Sequence, residues 1–491
     1  MIGMKSGSYI PTIGLEIHVE LKTKTKMFCN SRNDSGETRP NVNVCSVCMG
    51  HPGTLPVINK KAVRHVLKVG VAIGGNLANT TEFDRKNYFY PDIPKGYQIS
   101  QYKHPLVSGG SLHGVAITRV HLEEDTGTSI HDKSDNTNLS HQSYSLVDFN
   151  RAGVPLMELV TEPVMHSAKD AVEFAQELQI LLRYLGTSDA NMEKGEMRVE
   201  ANISVSQKSK IKSQKLGTKV EVKNLNSFKS VERAIDYEVK RQSALLEDGK
   251  AVVQETRGWD DNKQATFSQR LKEESHDYRY FPEPDLPSLN LFSLPEFLIG
   301  ALKKEIPELP SERRARYQKL SAPGSKMDPN HIEMFVSDNS FGKLFDGTLK
   351  IQPATYNLAV NFISTDIAGL VSKHGENGLR HITPEGLCAV IVHYQNGDIS
   401  SRGAKDALED LFLHGGDALE VCKKYSQKSD SQELLKVVQT TMREHQNTVS
   451  DYKQGKESAL QFLVGQGMKH MKGAGNPQLL RSLFVKEMFR R

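Results

Sequence analysis

Three side chains that could do chemistry stand at alternate positions near the start of the chain: Glu16, His18 and Glu20. The residues between them are aliphatic, and this alternation is typical of a β-strand with a polar face and an apolar face. Two carboxylates and an imidazole are costly to bury together unless they are paired, hydrogen-bonded or holding a metal ion. An edge strand with its polar side in water alternates in the same way, so this stretch alone leaves both interpretations open.

Further strands are predicted to carry charge beside this one. Residues 115–118 and 120–122 have strand character and lead into the acids at 123–125, and residues 196–204 and 218–224 alternate polar with apolar side chains. Together they predict a twisted, largely antiparallel sheet whose concave polar face would hold Mg²⁺ through oxygen ligands and leave coordination positions for phosphates. The alternative for the three adjacent acids is a solvated loop. The side chains expected on the polar face are Glu16, His18, Glu123, Glu124, Glu221 and Lys223.

Residues 83–97 are dense in aromatic residues, lysines and prolines and follow neither the helix nor the strand period. Lys86 and Lys95 could bind phosphate as point charges, and the tyrosines could stack on a nucleobase. The alternative is a surface loop held in place by aromatic packing. The chain has neither of the phosphate-binding patterns G-x-x-x-x-G-K-[ST] and G-x-G-x-x-G, so a nucleotide would have to bind without them.

Cysteines close to the first strand suggest a second kind of site. Cys45 and Cys48 form a C-x-x-C pair whose thiolates can meet one tetrahedral ion, and Cys29 offers a third thiolate. Ser31 stands where a fourth cysteine would complete a four-sulfur site. A structural zinc ion and a cluster of metal-free thiols therefore stay open as alternatives.

The elements around these residues predict an α+β chain in three parts. Amphipathic helices are predicted at 59–73, at 167–185 and from Ser227 to about 246. Three prolines within 277–287 interrupt regular structure, and the strand signals then give way to short helices. The expected division is a catalytic domain at 1–293, an all-helical domain at 294–402 and a small helical tail domain at 403–491, with a hinge at Arg402 and Gly403.

Composition excludes some classes of protein. The 491 residues include 63 basic and 59 acidic side chains, a formal charge of +4 that permits an anionic partner without requiring one. No run of roughly 18 apolar residues could span a bilayer, and no apolar signal-peptide core precedes the first strand, so we expect a cytoplasmic protein without a membrane anchor. Residues 451–491 contain eight basic and three acidic residues, which suits a phosphate backbone or, alternatively, a solvated basic surface.

Several of these stretches resemble one family in their order and spacing. Over residues 12–290 the chain is similar to the B subunits of the glutamyl-tRNA(Gln)/aspartyl-tRNA(Asn) amidotransferases, the GatB family. The helical parts that follow, including residues 473–479, resemble the family more loosely. The motifs that carry the resemblance are residues 13–18, 83–97, 121–125, 150–156, 223–228 and 277–287.

The resemblance implies a cradle-shaped catalytic domain, a helical domain and a tRNA-binding tail, in a heterotrimer with an amidase A subunit and a small C subunit. It implies a ligase of protein biosynthesis, a glutamine-hydrolysing aminoacyl-tRNA amidotransferase. In that family the A subunit frees ammonia from glutamine. The B subunit uses ATP and Mg²⁺ to phosphorylate the Glu on tRNA(Gln) or the Asp on tRNA(Asn), and ammonia then displaces the phosphate.

The same resemblance assigns roles to individual residues. His18, Glu124 and Glu221 are expected to bind Mg²⁺, with Glu16 and Glu123 beside them, whereas Lys86, Lys95 and Lys223 are expected to contact phosphate or the aminoacyl end.

Some positions depart from the family pattern: three cysteines replace the four of its zinc knuckle, Thr128 stands where a lysine is usual, and Val199 replaces a frequent cysteine. The competing hypothesis is a tRNA-binding or assembly subunit without chemistry of its own, and the intact set Glu16, His18, Glu124 and Glu221 argues against it.

Overall fold

The structure is a computed structural model that describes residues 9–131, 145–207, 216–271, 278–322, 325–426, 431–471 and 475–490. By its internal contacts the chain divides into two compact units, Met1–Leu309 and Pro310–Arg491. Asp277, which begins the last motif, and Lys472 and Arg491 of the basic tail segment lie outside the described residues, as do residues 473–474.

The first unit contains seventeen strands within the described residues. In chain order they are β1 (Tyr9–Glu20), β2 (Asn76–Leu77), β3 (Thr80–Thr81), β4 (Asp84–Asn87), β5 (Tyr97–Ser100), β6 (Val107–Ser108), β7 (Ser111–Leu112), β8 (Val115–Glu124), β9 (Thr128–His131), β10 (Ser145–Asp148), β11 (Pro155–Thr161), β12 (Met197–Gln207), β13 (Val220–Leu225), β14 (Glu255–Asp260), β15 (Ala265–Leu271), β16 (Phe281–Pro282) and β17 (Leu289–Asn290).

Ten of these strands form one sheet with β1 near its middle. The order is β15-β14-β13-β12-β1-β11-β8-β6-β2, and β7 pairs with β8. Every neighbouring pair is antiparallel except β13 and β14, which run parallel. The predicted α+β class and the mainly antiparallel sheet are therefore confirmed, and the two strand segments predicted within 115–122 are one strand, β8.

Three long helices cover one face of this sheet: α1 (Lys60–Ala72), α2 (Ala168–Leu185) and α3 (Phe228–Glu247). Their N-terminal caps are Asn59, Ser167 and Ser227, whose side chains accept hydrogen bonds from the first-turn backbone. α2 contacts β1, α3 contacts β12 and α1 contacts β8. The aliphatic row of β1 faces these helices and is fully buried, so the strand's polar row must face the other way.

A smaller three-stranded sheet, β16-β4-β5, includes β4 and the first residue of β5 from the stretch 83–97, which was predicted to be irregular. β4 and β5 pair directly, with Arg85 opposite Ile99, and β16 adds to the other side of β4. Only the centre of the stretch, residues 88–96, is a loop. This pairing brings residues 278–282 beside residues 84–87, which are distant in sequence.

The short helix α4 (Ile299–Lys303) ends the first unit, and the second unit is almost entirely helical. Its helices are α5 (Pro310–Lys319), α6 (Pro329–Ser337), α7 (Asn339–Ile351), α8 (Tyr356–Asn361), α9 (Ala368–His374), α10 (Pro384–Gln395), α11 (Ser401–His414), α12 (Ala418–Lys424), α13 (Ser431–Glu444), α14 (Gln446–Lys453), α15 (Glu457–His470) and α16 (Pro477–Met488). Its β-structure among the described residues comprises one two-residue ladder, β18 (Ser321–Ala322) with β19 (Ser325–Lys326), and an isolated bridge between Ile399 and Ser426.

The second unit corrects one prediction about the chain's hinges. Arg402 and Gly403 lie in the first turn of α11, which begins after the cap Ser400. Gly403 marks a close approach of two segments, because a Cβ there would lie 3.0 Å from the backbone oxygen of Tyr425. One core of this unit runs from Tyr317 to Cys422 and another from Leu434 to Met488. The three-domain division at 293/294 and 402/403 stays a prediction.

Candidate active site

The polar row of β1 lies at the centre of the candidate site. His18 is paired across the sheet with Glu158 of β11 on one side and Arg198 of β12 on the other. Glu16 lies opposite Glu200 of β12. Opposed residues in neighbouring strands point to the same face, so the sheet itself assembles these charged side chains.

The first cluster of the site surrounds His18. Its Nε2 lies 3.6 Å from Glu123 Oε1 and 3.5 Å from Glu158 Oε2, and the ligand atoms of these three residues lie within 4.8 Å of one another. His121 Nε2 is 3.2 Å from the same oxygen of Glu158, and Ser100 Oγ donates to Glu123 Oε2 at 3.1 Å. One imidazole and two carboxylates at this spacing form a set that can bind a divalent cation.

Electrostatics in this cluster favours an ionised Glu158. Burial alone raises the pKa of its carboxyl, but the charge and hydrogen bond of His121, together with those of His18, hold that pKa well below its ordinary value. Burial lowers the pKa of His18, and the hydrogen bond to Glu158 and the charge of that residue outweigh it and raise the pKa to about 9. Without a bound cation, the protonated imidazole thus compensates the acids around it.

The second cluster consists of Glu16, Glu200 and Glu221, whose carboxylate oxygens also lie within 4.8 Å of one another. Lys223 Nζ lies 2.9 Å from Glu200 Oε2 and 3.4 Å from Glu221 Oε1. Asn202 donates to Glu16 at 2.8 Å. Burial, followed by the charges of Glu158 and Glu200, raises the pKa of Glu16. Burial also raises the pKa of Glu221, but Lys223 and the hydrogen bond from Thr256 together outweigh it and lower that pKa.

Both clusters line one cleft of about 780 Å³. Its cationic lining is Lys86, Arg119, Lys219 and Lys223, and tyrosines cover part of its wall. Burial lowers the pKa of the Lys86 ammonium group, but the surrounding charges, of which Glu123 contributes most, together outweigh burial and raise that pKa. The cleft therefore combines carboxylates suited to divalent cations with ammonium groups suited to phosphate.

Glu124 and Lys95 lie outside this cleft. Successive residues of a strand point to opposite faces, so Glu123 faces the cleft and Glu124 does not. Glu124 forms an ion pair with Lys95 and accepts a hydrogen bond from the backbone N–H of Ile99 at 2.8 Å. Both line a separate cavity of about 210 Å³. The structure thus does not bring together His18, Glu124 and Glu221, the ligand set expected from the sequence. His18 lies in the first cluster, Glu221 lies in the second, and Glu124 lies outside the cleft.

No role in the site was predicted from the sequence for three of its residues: Glu158, Glu200 and His121. Glu158 is the single charged residue within the otherwise apolar run 156–160, and that charge was the available signal. Glu200 stands in the alternating stretch 196–204, on the same polar face as Asn202. Glu20, by contrast, lies apart from both clusters, beside Asp125 and Arg198, and burial together with the charge of Asp125 raises the pKa of its carboxyl to about 8.

The cysteine cluster lies near the Glu124 cavity. The Sγ atoms of Cys29, Cys45 and Cys48 lie within 4.8 Å of one another, and Cys29 and Cys48 line the cavity. A hydrogen bond to Cys29 is the main cause that lowers the pKa of Cys48, to about 4, with support from the buried ammonium of Lys26, 3.8 Å from its Sγ. Ser31 Oγ is also 3.8 Å from Cys48 Sγ. Three thiolates at this spacing can hold a metal ion, and Lys26 can equally balance their charge.

Comparison with known proteins agrees with this architecture. The GatB/GatE catalytic-domain model matches residues 11–293, which include the whole cleft, and a GatB domain model matches residues 343–488. The chain belongs to the GatB family. The match also confirms the predicted enzyme class, an amidotransferase component of the ligase class.

Relatives align over nearly the full length of this GatB-family chain. The B subunit of an aspartyl/glutamyl-tRNA(Asn/Gln) amidotransferase from Caldicellulosiruptor saccharolyticus is 41% identical over 98% of this chain and 99% of its own. The B subunit of the same name from Gloeothece citriformis is 40% identical over 98% of this chain and 98% of its own. The B subunit of a chloroplastic/mitochondrial glutamyl-tRNA(Gln) amidotransferase from Sorghum bicolor is 40% identical over 99% of this chain and 88% of its own. In the described part of the chain, no helix has the length and hydropathy needed to cross a membrane.

Proposed function

We propose that this GatB-family chain activates the side-chain carboxylate of a misacylated tRNA with ATP and converts it to an amide. The substrates are Glu on tRNA(Gln), Asp on tRNA(Asn), or both. One observation carries the proposal: two clusters of cation ligands, built on Glu16 and His18 two positions apart on β1, share one cleft with lysines. Burial of these acids costs free energy of folding, and a nonenzymatic assembly subunit would not require it.

The reaction balances with groups of this kind. An oxygen of the substrate carboxylate attacks the γ-phosphorus of ATP and ADP leaves, which gives an acyl phosphate. Ammonia then attacks the acyl carbon and expels phosphate, including the oxygen that came from the carboxylate. When bound, Mg²⁺ would neutralise the phosphate charge during this transfer.

Residues of the chain have distinct tasks in this proposal. His18, Glu123 and Glu158 would hold one Mg²⁺, and Glu16, Glu200 and Glu221 offer a second position. Lys86 and Lys223 approach these acids from the cleft and would bind phosphate or the aminoacyl end. Fixed charges of this kind, aimed at a reacting phosphoryl group, stabilise the charge that develops in the transition state.

The partners and the location are part of the same proposal. Ammonia would come from glutamine through an amidase A subunit, held with a small C subunit in a heterotrimer, and the complex would work in the cytoplasm. The helical tail at 403–491 would bind the tRNA backbone, and its separate core, Leu434 to Met488, supports an independent role for its last four helices. We also propose a structural zinc ion on Cys29, Cys45 and Cys48.

Glu158→Gln tests the proposal in the complete complex. The change keeps the size of the side chain and removes a charge that contacts both His18 and His121. We expect amide formation on misacylated tRNA to fall by about 100-fold, because loss of a ligand or of its supporting charge weakens metal binding on this scale. Glutamine hydrolysis by the partner should persist. If amide formation persists at the wild-type rate, the cleft is not the site.

A second measurement addresses the chemistry itself. ATP consumption by the wild-type complex should require misacylated tRNA and should match amide production one to one. ATP-independent amide formation would contradict the activation step and would favour the assembly-subunit hypothesis for this chain.

A further inference from the structure

Five tyrosines form a continuous row along one wall of the cleft: Tyr90, Tyr88, Tyr278, Tyr280 and Tyr102, in spatial order. Ring centroids of neighbours lie 5.9, 6.2, 6.0 and 4.4 Å apart, in that order. All five line the cleft. We call this set the tyrosine row.

The tyrosine row comes from three separate parts of the chain. The loop after β4 supplies Tyr88 and Tyr90, the segment before β16 supplies Tyr278 and Tyr280, and Tyr102 follows β5. Pairing of β16 with β4 holds the first two segments side by side. The row is therefore fixed by the three-stranded sheet and keeps its ring faces in place before any ligand arrives, which lowers the entropy lost on binding.

The two ends of the row expose aromatic surface to the cleft. Tyr102 is 55% exposed and Tyr90 is 41% exposed, and both stack on an inner neighbour at interplanar angles of 10° and 24°. A flat ring that stacks on a neighbour and exposes part of its surface to a cleft is the arrangement on which nucleobases stack, because every base has a π-face.

Charges at the row point to a ligand that also carries phosphate. Lys86 Nζ lies 5.0 Å from the ring centroid of Tyr278, and the phenol of Tyr280 lies in the field of Lys86, Glu123 and Glu158. A base stacked on the row would thus place its ribose and phosphates beside the ammonium group and the His18 cluster. An apolar peptide would gain the ring contacts but would leave these charges without a partner.

We propose that the tyrosine row binds an adenine ring by stacking. The proposal rests on the proposed function, which brings two adenines to this cleft: that of ATP and that of the 3′-terminal nucleotide carrying the aminoacyl group. Both present the same flat ring next to a ribose, so the row recognises their shared chemistry. Stacking depends on the area of the ring and not on the hydrogen bonds of its hydroxyl group, so phenylalanine at each of these positions should keep the affinity.

Tyr102→Leu and Tyr90→Leu test the proposal in the complete complex, with Tyr102→Phe and Tyr90→Phe as matched variants that keep the ring. In the nucleotide arm, affinities for ADP and for pyrophosphate are measured by equilibrium dialysis. In the tRNA arm, affinities for uncharged tRNA with and without its 3′-terminal nucleotide are compared. Phe89→Ala is the control, since Phe89 is 86% exposed and is not among the described cleft-lining residues.

We expect a leucine variant to weaken one arm by about tenfold, the scale of one lost base stack. Loss of ADP affinity with unchanged pyrophosphate affinity assigns the row to ATP. If intact and shortened tRNA instead bind a leucine variant with equal affinity, the row is assigned to the tRNA terminus. The phenylalanine variants and Phe89→Ala should match wild type in both arms.

Two results overturn the proposal. One is unchanged affinity in both arms for both leucine variants, and the other is a parallel loss of pyrophosphate affinity, which marks the tyrosines as structural supports. Either result leaves the proposed function intact if the wild-type complex still forms amide with ATP. If the wild-type complex forms no amide at all, the proposed function fails, whereas the ADP and tRNA measurements still report on the row.

Discussion

His65 makes the first unit sensitive to acid. Its side chain lies on α1, 2% exposed, with Nε2 at 3.1 Å from the backbone oxygen of Lys22. Nδ1 is buried and has no hydrogen-bond partner among the described residues. Burial, which the hydrogen bond only partly offsets, lowers the pKa of His65 from 6.5 to about 4. The folded unit therefore contains the neutral imidazole, and protons bind more tightly to the unfolded chain.

The sign and size of the effect follow from linkage. Because the folded-state pKa is the lower one, the stabilisation is fully present above pH 6.5 and is lost as the pH falls through 4. A difference of this size corresponds to about 3 kcal/mol in all, of which about 2 kcal/mol is lost between pH 7 and pH 5.

The chain has a built-in reporter for this measurement. Trp259 is its one tryptophan and is buried in the core of the first unit, so urea unfolding followed by tryptophan fluorescence reports on that unit alone. His65→Phe keeps a buried ring and cannot titrate, so its unfolding free energy should fall by about 2 kcal/mol less than that of wild type between pH 7 and pH 5. His113→Gln, at an exposed histidine, should behave as wild type. Equal pH dependence in wild type and His65→Phe would refute the reasoning.

Further predictions concern the site and the tail. Glu124→Gln should leave Mn²⁺ binding in the cleft unchanged, as followed by electron paramagnetic resonance, whereas Glu158→Gln should weaken it by about 10-fold or more; a larger loss for Glu124→Gln would place the metal elsewhere. Lys223→Met should destabilise the first unit by about 1 kcal/mol at pH 7, because Glu200 and Glu221 lose their shared cation, and unchanged unfolding by urea would contradict this. Removal of residues 427–491, which spares the core ending at Cys422, should weaken tRNA binding and flatten its salt dependence. Filter binding at several salt concentrations measures this, and an unaltered salt slope would exclude backbone contacts by the tail.

The two-residue period of a β-strand explains why the polar face of β1 was predicted correctly and why Glu124 was placed on the wrong face. Alternation at residues 14–20 predicted the polar face of β1, and the buried aliphatic row confirms it. The same period puts Glu123 and Glu124 on opposite faces, yet both were expected on the polar face, because three adjacent acids at 123–125 hide the alternation at the end of the strand. Glu158 was missed because the register that sets it opposite His18 is a long-range property.

Long-range contacts also explain why the tyrosine row and the packing of the helical cores were not predicted from the sequence. Residues 278–280 reach the cleft because β16 pairs with β4, about two hundred positions away in sequence, and no local pattern encodes that contact. Similarly, Gly403 suggested a hinge, although it is a small residue that lets α11 approach Tyr425. Local signals did predict the three long helices α1, α2 and α3, because their apolar stripes and capping residues are close in sequence.

Transfer of oxygen from the substrate carboxylate to phosphate tests the central claim most directly. Misacylated tRNA would be prepared with ¹⁸O in both oxygens of its side-chain carboxylate and incubated with the complete complex, ATP, Mg²⁺ and glutamine. Activation by phosphorylation predicts one ¹⁸O atom in each phosphate released, as measured by mass spectrometry, and loss of this labelled phosphate in Glu158→Gln. Amide formation with unlabelled phosphate would contradict the account.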